Sequence, residues 1–158
     1  MTARLPIPGS DDGLWGNLLN TFLSVAHNAD GTLMASAVQA ASRAQTLPYS
    51  YSGSLSVATG AIRLYNDTAS AWTITGVRAS VGTAPTGAAV IVDIKLNGTT
   101  IFTTQANRPT IAVSTNTSGN VTNMDVTSVA VGGYLTVDIA QVGSTIAGSD
   151  LSVQVEVQ

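Results

Sequence analysis

From Tyr49 to the last residue, apolar side chains recur at every second position, in short runs separated by turn-forming residues. The runs are Leu55/Val57, Ile62/Leu64, Trp72/Ile74, Val90/Val92/Ile94/Leu96, Ile111/Val113, Leu135/Val137/Ile139 and Leu151/Val153/Val155/Val157. Successive side chains of a strand point to opposite faces, so a period of two specifies strands with one face buried and the other in water. Antiparallel sheets are built this way. The breaks carry turn chemistry at Asn66-Asp67, Gly82 to Gly87, Asn97-Gly98, Ser118-Gly119-Asn120, Gly132-Gly133 and Gly148-Ser149-Asp150. Asn97-Gly98 is the sharpest of these, because a type I′ hairpin turn needs two positive φ angles and this pair accepts them. About eight such strands predict a mainly β fold: an antiparallel two-sheet β-sandwich of jelly-roll type over residues 49–158. An immunoglobulin-like Greek-key order stays open, since alternation fixes faces and not connectivity. Trp72, on the apolar side of its strand, is expected in the core.

Residues 1–48 follow a different period. Ser10, Asp11 and Asp12 offer N-cap oxygens to a helix whose apolar residues fall at 14, 15, 18, 19, 22 and 23. That is the stripe of an amphipathic helix running from Leu14 to about His27, with Asp30-Gly31 as the stop. A second, alanine-rich helix is expected from Leu33 to about Ala44, with Met34, Ala37, Val38 and Ala41 on a narrow face, and Pro48 closing the region. Helices of three to four turns are not stable alone in water, so this segment must dock on something. The expected organisation is a helical anchor over 1–48 and a β-sandwich head over 49–158.

Composition removes several function classes. Charged residues are only 9% of the chain, the net charge is −3, and the cations are Lys95 and scattered arginines. A nucleic-acid binder needs a basic face, and none is expected here. The absence of cysteine leaves no thiolate nucleophile, disulfide or cysteine-ligated zinc. The N-terminus has no apolar run of the length a secretory signal needs, and no window approaches a membrane-spanning helix, so a soluble chain is expected.

The residues that could carry chemistry are few. His27, with Ser24 and Asp30, superficially gathers a base, a nucleophile and an acid, but no nucleophile elbow or oxyanion loop accompanies them. A histidine in a last helical turn complements the negative end of the helix dipole, which is the expected role. Asp67, Asp93, Asp138 and Asp150 are the acids a calcium ion could use, yet their spacing matches no calcium loop and they read as solvated aspartates. Glu156 is the sole glutamate, so no glycosidase pair is singled out. The tripeptide Val-Asp-Ile occurs twice, at 92–94 and 137–139, and reads as two strands using one solution with the aspartate outward. The Asn-x-Ser/Thr triplets at Asn66, Asn97, Asn116 and Asn120 read as turn chemistry. No enzyme, no cofactor and no metal are expected. Short polar side chains with isolated aromatics suit a sugar surface, and Tyr134, beside Gly132-Gly133, is the expected glycan contact.

The run Leu5-Pro6-Ile7-Pro8-Gly9-Ser10-Asp11-Asp12-Gly13-Leu14-Trp15-Gly16-Asn17-Leu18-Leu19-Asn20-Thr21-Phe22-Leu23, followed by His27-Asn28-Ala29-Asp30-Gly31-Thr32-Leu33, resembles the N-terminal segment of minor tail and tail-fibre proteins of long-tailed bacteriophages. The runs Ile62–Thr68, Gly82–Gly87, Ile101–Pro109 and Val137–Thr145 are similar to a sandwich domain that ends many such proteins in viruses of actinobacteria. The resemblance covers nearly the whole chain and departs in the middle, where many relatives carry a long shaft and this chain has only residues 33–48. It implies a short, stubby homotrimeric projection on the virion, not a long fibre. Trp15, Leu18, Leu19, Phe22 and Leu23 would anchor it to other tail or capsid proteins, and the head would face host-surface glycans. A capsid-decorating or head-fibre protein and a stand-alone carbohydrate-binding module are the alternatives. Neither nucleic acid nor membrane insertion is expected.

Overall fold

A computed structural model describes residues 13, 15–24, 26–28, 30, 32–34 and 44–158. The chain divides into two compact units, 1–43 and 44–158.

In the first unit, helix α1 spans Trp15–Leu23, shorter than the expected Leu14–His27. Toward its end Thr21 Oγ1 donates to Asn17 O and Ser24 Oγ to Thr21 O, beside the backbone bond from the Ser24 N–H to Asn20 O. The His27 N–H then closes on Leu23 O, and the chain turns back so that His27 bridges to Leu33. Asp30 builds that turn by accepting from the Thr32 N–H and hydroxyl. Leu33, expected to open a second helix, sits in this bridge instead. The rest of that helix, and the N-cap residues Ser10, Asp11 and Asp12, lie outside the described residues.

The second unit contains ten strands: β1 (Gln45–Ser54), β2 (Leu64–Tyr65), β3 (Trp72–Thr83), β4 (Val90–Leu96), β5 (Thr99–Thr100), β6 (Thr110–Ile111), β7 (Thr117–Val121), β8 (Ser128–Val129), β9 (Tyr134–Gln141) and β10 (Ser149–Val157). The first sheet runs β1-β10-β3-β7, with β8 also on β3. The second runs β2-β9-β4-β5, with β6 also on β4. All named pairings are antiparallel. Taking β5 with β6 and β7 with β8 as split strands leaves eight positions in nested pairs, the chain switching sheets at every step except from β4 to β5. That is jelly-roll connectivity, as the alternation suggested but could not fix.

The inner faces of the two sheets meet in one core. Val77, Ala79, Val81, Leu151, Val153, Val155 and Val157 come from the first sheet, and Val90, Val92, Ile94, Leu135, Val137 and Ile139 from the second. Phe102, Ile101 and Ile111 fill its β5–β6 side, and Trp72 packs against it half-buried. Asn97 (φ 50) and Gly98 (φ 89) form the two-residue turn between Leu96 and its partner Thr99.

Pro48 does not close the helical region. It lies inside β1, opposite Gln154, and β1 begins at Gln45. Proline is compatible with a strand here because β1 is the edge of its sheet, and a missing N–H on the open side breaks no ladder bond. Leu55 is buried but Val57 is exposed, and past Ser54 this stretch leaves the first sheet.

Candidate functional site

Register places the notable residues of the head on one surface. In β9, Leu135, Val137 and Ile139 point into the core, so Tyr134, Thr136 and Asp138 point away from it. The pairs Lys95↔Thr136 and Asp93↔Asp138 put Lys95 and Asp93 of β4 on that same outer face. Tyr65 of β2 lies opposite Tyr134, and Thr100 of β5 lies opposite Lys95.

The repeated tripeptide acquires its meaning here. Val92-Asp93-Ile94 and Val137-Asp138-Ile139 are direct cross-strand partners, so their aspartates oppose one another. These aspartates are not solvated as expected: Asp93, Asp138 and Thr136 are each 7% exposed. Like charges directly across a ladder are destabilising, and this pair persists because each carboxylate is held by donors. Lys95 Nζ lies 2.6 Å from Asp138 Oδ2 on the diagonal. The Gly60 N–H donates to Asp138 Oδ1 at 2.8 Å. Thr100 Oγ1 donates to Asp93 Oδ1 at 2.6 Å. The hydrogen bond to Asp138, the negative charge of that group and the charge of Asp93 hold the Lys95 ammonium above its ordinary value of 10.5.

Part of the cover comes from the segment between β1 and β2. Ala58 bridges to Ile139 through both backbone bonds, which lays residues 57–60 along the open edge of β9. Gly60 is required at this approach, since a Cβ there would collide with the Val137 carbonyl. A pocket of about 320 Å³ lies between this strap and the strands. Val57, Ala58, Thr59 and Ala140 form its walls, and Asp93, Lys95 and Asp138 its polar lining. Among the described hydrogen bonds none uses Asp93 Oδ2.

Farther along the same face stands an aromatic pair. The rings of Tyr65 and Tyr134 are 5.4 Å apart and tilted by 51°. The Arg63 guanidinium lies 4.7 Å from the centroid of the Tyr134 ring, a cation–π contact. Tyr134, the expected glycan contact, is therefore half-buried beneath Arg63, whereas Tyr65 is 45% exposed and presents the more open ring. Tyr134 is fixed by the neighbouring hairpin: its N–H donates to Asn97 Oδ1, and its carbonyl accepts from the Asn97 N–H.

The other sequence candidates do not converge. His27 Nδ1 lies 3.3 Å from Leu23 O at the end of α1, while Ser24 and Asp30 bond to Thr21 and Thr32. Asp30 is held below its ordinary value by the Thr32 hydroxyl and N–H. Asp150 accepts from the Gly53 N–H on the first sheet, and Asp67 is exposed in the turn after β2. Glu156 lies on the first sheet, where its carboxylate reaches Asn120 at 3.5 Å. Among the described residues no group of three or more histidine, cysteine, aspartate or glutamate side chains gathers to hold a metal ion. Between Asp93 and Asp138 the positive charge is the Lys95 ammonium itself.

Asn66, one of the formal glycosylation triplets, is fully buried. Its Nδ2 donates to Ser70 O and Val129 O, and its Oδ1 accepts from the Thr68 N–H and hydroxyl. Of the residues expected to anchor the chain, Leu19 and Leu23 are 45% and 40% exposed on α1. Trp15, Leu18 and Phe22 belong to the same helix, and their side chains lie outside the described residues.

In comparisons with protein-family models, with curated proteins and with solved structures, nothing matches this chain.

Proposed function

We propose that this protein is a non-enzymatic structural component of a bacteriophage particle. It is a short trimeric tail-tip or tail-fibre projection, held to neighbouring virion proteins by its N-terminal segment. Its jelly-roll head is presented outward toward host-surface glycans. The observation that carries the reading is the division of the chain. A β unit with its own core and connectivity begins at residue 44, and ahead of it in the chain lies a short helix with Leu19 and Leu23 exposed. A helix of nine residues gains its stability from what it packs against. In this reading neighbouring subunits and virion proteins supply that surface.

Removal of residues 1–33 is the test. The truncated protein is expected to stay folded and soluble and to be missing from purified particles. Incorporation of the truncated protein at the full-length level would overturn the anchor role. A capsid-decorating protein would use the same parts at another place, and copy number per particle separates the two. The exposed Tyr65 beside Tyr134 favours a second reading, a stand-alone carbohydrate-binding module. That reading has no use for α1 and predicts no protein on particles.

A further inference from the structure

We infer that the outer face of the second sheet is a single extended site for a neutral oligosaccharide, with the Tyr65 ring at one end and the Asp93–Lys95–Asp138 pocket at the other. The inference rests on the glycan contact proposed above and specifies which face makes it and what class of sugar it takes.

Three features of the face argue together. The first is placement. Tyr134 and Asp138 are four residues apart on one side of β9, a span of about 13 Å at strand rise, longer than one pyranose ring. A ligand that touches both ends therefore has more than one sugar unit. The second is preorganisation. Saccharide hydroxyls are recognised by acceptors and donors whose positions are fixed before binding, because ordering long side chains costs affinity. Asp138 is held by Lys95 and Gly60, and Asp93 by Thr100 through one oxygen only. Asp93, whose Oδ2 takes part in none of the described hydrogen bonds, lines the pocket together with Lys95, which carries N–H donors. The third is the mixture of surfaces. Ala58, Ala140 and Val57 offer apolar walls to the C–H faces of a sugar, and Tyr65 offers a ring on which the next unit stacks.

Charge selects the ligand. Two carboxylates and one ammonium leave the pocket with an excess negative charge, which disfavours uronic and sialic acids. Arg63 keeps its positive charge over the Tyr134 ring, so the exclusion of acidic units acts at the pocket end of the face. Tyr134 packs against Tyr65 and lies half-buried under Arg63, so Tyr65 is the ring open to stacking.

The test uses the full-length protein on an immobilised array of neutral and acidic glycans, with monosaccharides and oligosaccharides of increasing length. Titration calorimetry then follows the best neutral oligosaccharide. The expected result is binding to a neutral oligosaccharide and weaker binding to its monosaccharide. Tyr65→Ala and Asp93→Asn are each expected to lower affinity about tenfold or more. Gln154→Ala, on the outer face of the first sheet, is expected to leave affinity unchanged. Tyr65 is exposed, so its variant keeps the fold even where an aspartate variant does not. Binding of acidic glycans alone, no binding of any neutral oligosaccharide, or binding indifferent to both substitutions would overturn the inference. Immunodetection on purified particles separates this from the wider reading. Protein on particles that binds no glycan overturns the face and leaves the virion role standing. Binding by a protein that is not on particles supports the face and overturns the virion role.

Discussion

The two sheets of the head share a core but treat their outer faces differently. The first sheet presents Pro48, Ser50, Arg78, Ser152 and Gln154, all exposed and held mainly by the ladder beneath them. The second turns Asp93, Thr136 and Asp138 outward and then covers them, using Lys95, Thr100 and the strap from Val57 to Gly60. An opposed pair of buried carboxylates strains a ladder and holds here because Lys95, Gly60 and Thr100 supply donors to it. The second face thus carries buried charge beneath its own strap, and the first does not.

Substitutions can break that contrast, and the largest effect is expected where the second sheet is tied off. Asn66→Ala leaves the Ser70 and Val129 carbonyls and the Thr68 N–H without their partner in a buried place. A loss of about 3 kcal/mol is expected in urea unfolding. Gly60→Ala comes next. The new Cβ meets the Val137 carbonyl, so the strap must lift, at about 1–3 kcal/mol, with faster amide exchange at Ala58 and Gly60. Lys95→Met leaves the two aspartates facing each other without their cation. Lys95 is 29% exposed and water screens the pair, so a loss on the order of 1 kcal/mol is expected. On the first face, Gln154→Ala is expected to stay within about 0.5 kcal/mol of the parent.

pH sharpens the same comparison. Lys95 is raised above 10.5 by Asp138, so its stabilising contribution is complete below 10.5 and is lost as pH climbs through the higher folded value. Asp150, on the first sheet, is held below 3.8 by the Gly53 N–H and the Ser149 hydroxyl. Its contribution is complete above 3.8 and is lost as pH falls through the lower folded value. Thermal midpoints of the parent and Lys95→Met are therefore expected to converge at alkaline pH and to stay apart at neutral pH. The Asp150→Asn difference closes at acid pH instead. A Lys95→Met gap that persisted unchanged far above pH 10.5 would remove the ion pair from the account of this face.

Much of the fold was legible because it is written in periods and turn residues. The alternation at Val90–Leu96 and Leu151–Val157 placed the right side chains in the core, and Asn97-Gly98 gave its hairpin. What stayed hidden depends on which strands become neighbours. Val-Asp-Ile at 92–94 and at 137–139 carried the signal of a paired site, with Lys95 two residues from Asp93 on the same side. Only the antiparallel register of β4 with β9 turns that repetition into two opposed aspartates. Tyr134 was visible as a ring beside a glycine turn. Its covering by Arg63, and the greater exposure of Tyr65, follow from the β2–β9 pairing. Pro48 reads as a stop in isolation and is tolerated because β1 is an edge. The hydrophobic stripe runs on past Leu23, but α1 ends there because the chain turns back through Asp30 and Thr32 to bridge His27 with Leu33, a reversal the stripe does not register.

The central claim is that this chain works as an assembled projection, its leading segment in contact with copies of itself and with neighbours. The most direct measurement is the native mass of the purified full-length protein in solution. The account predicts three copies of the 16.0 kDa chain in one stable particle. A single 16.0 kDa species at every concentration tested would contradict it.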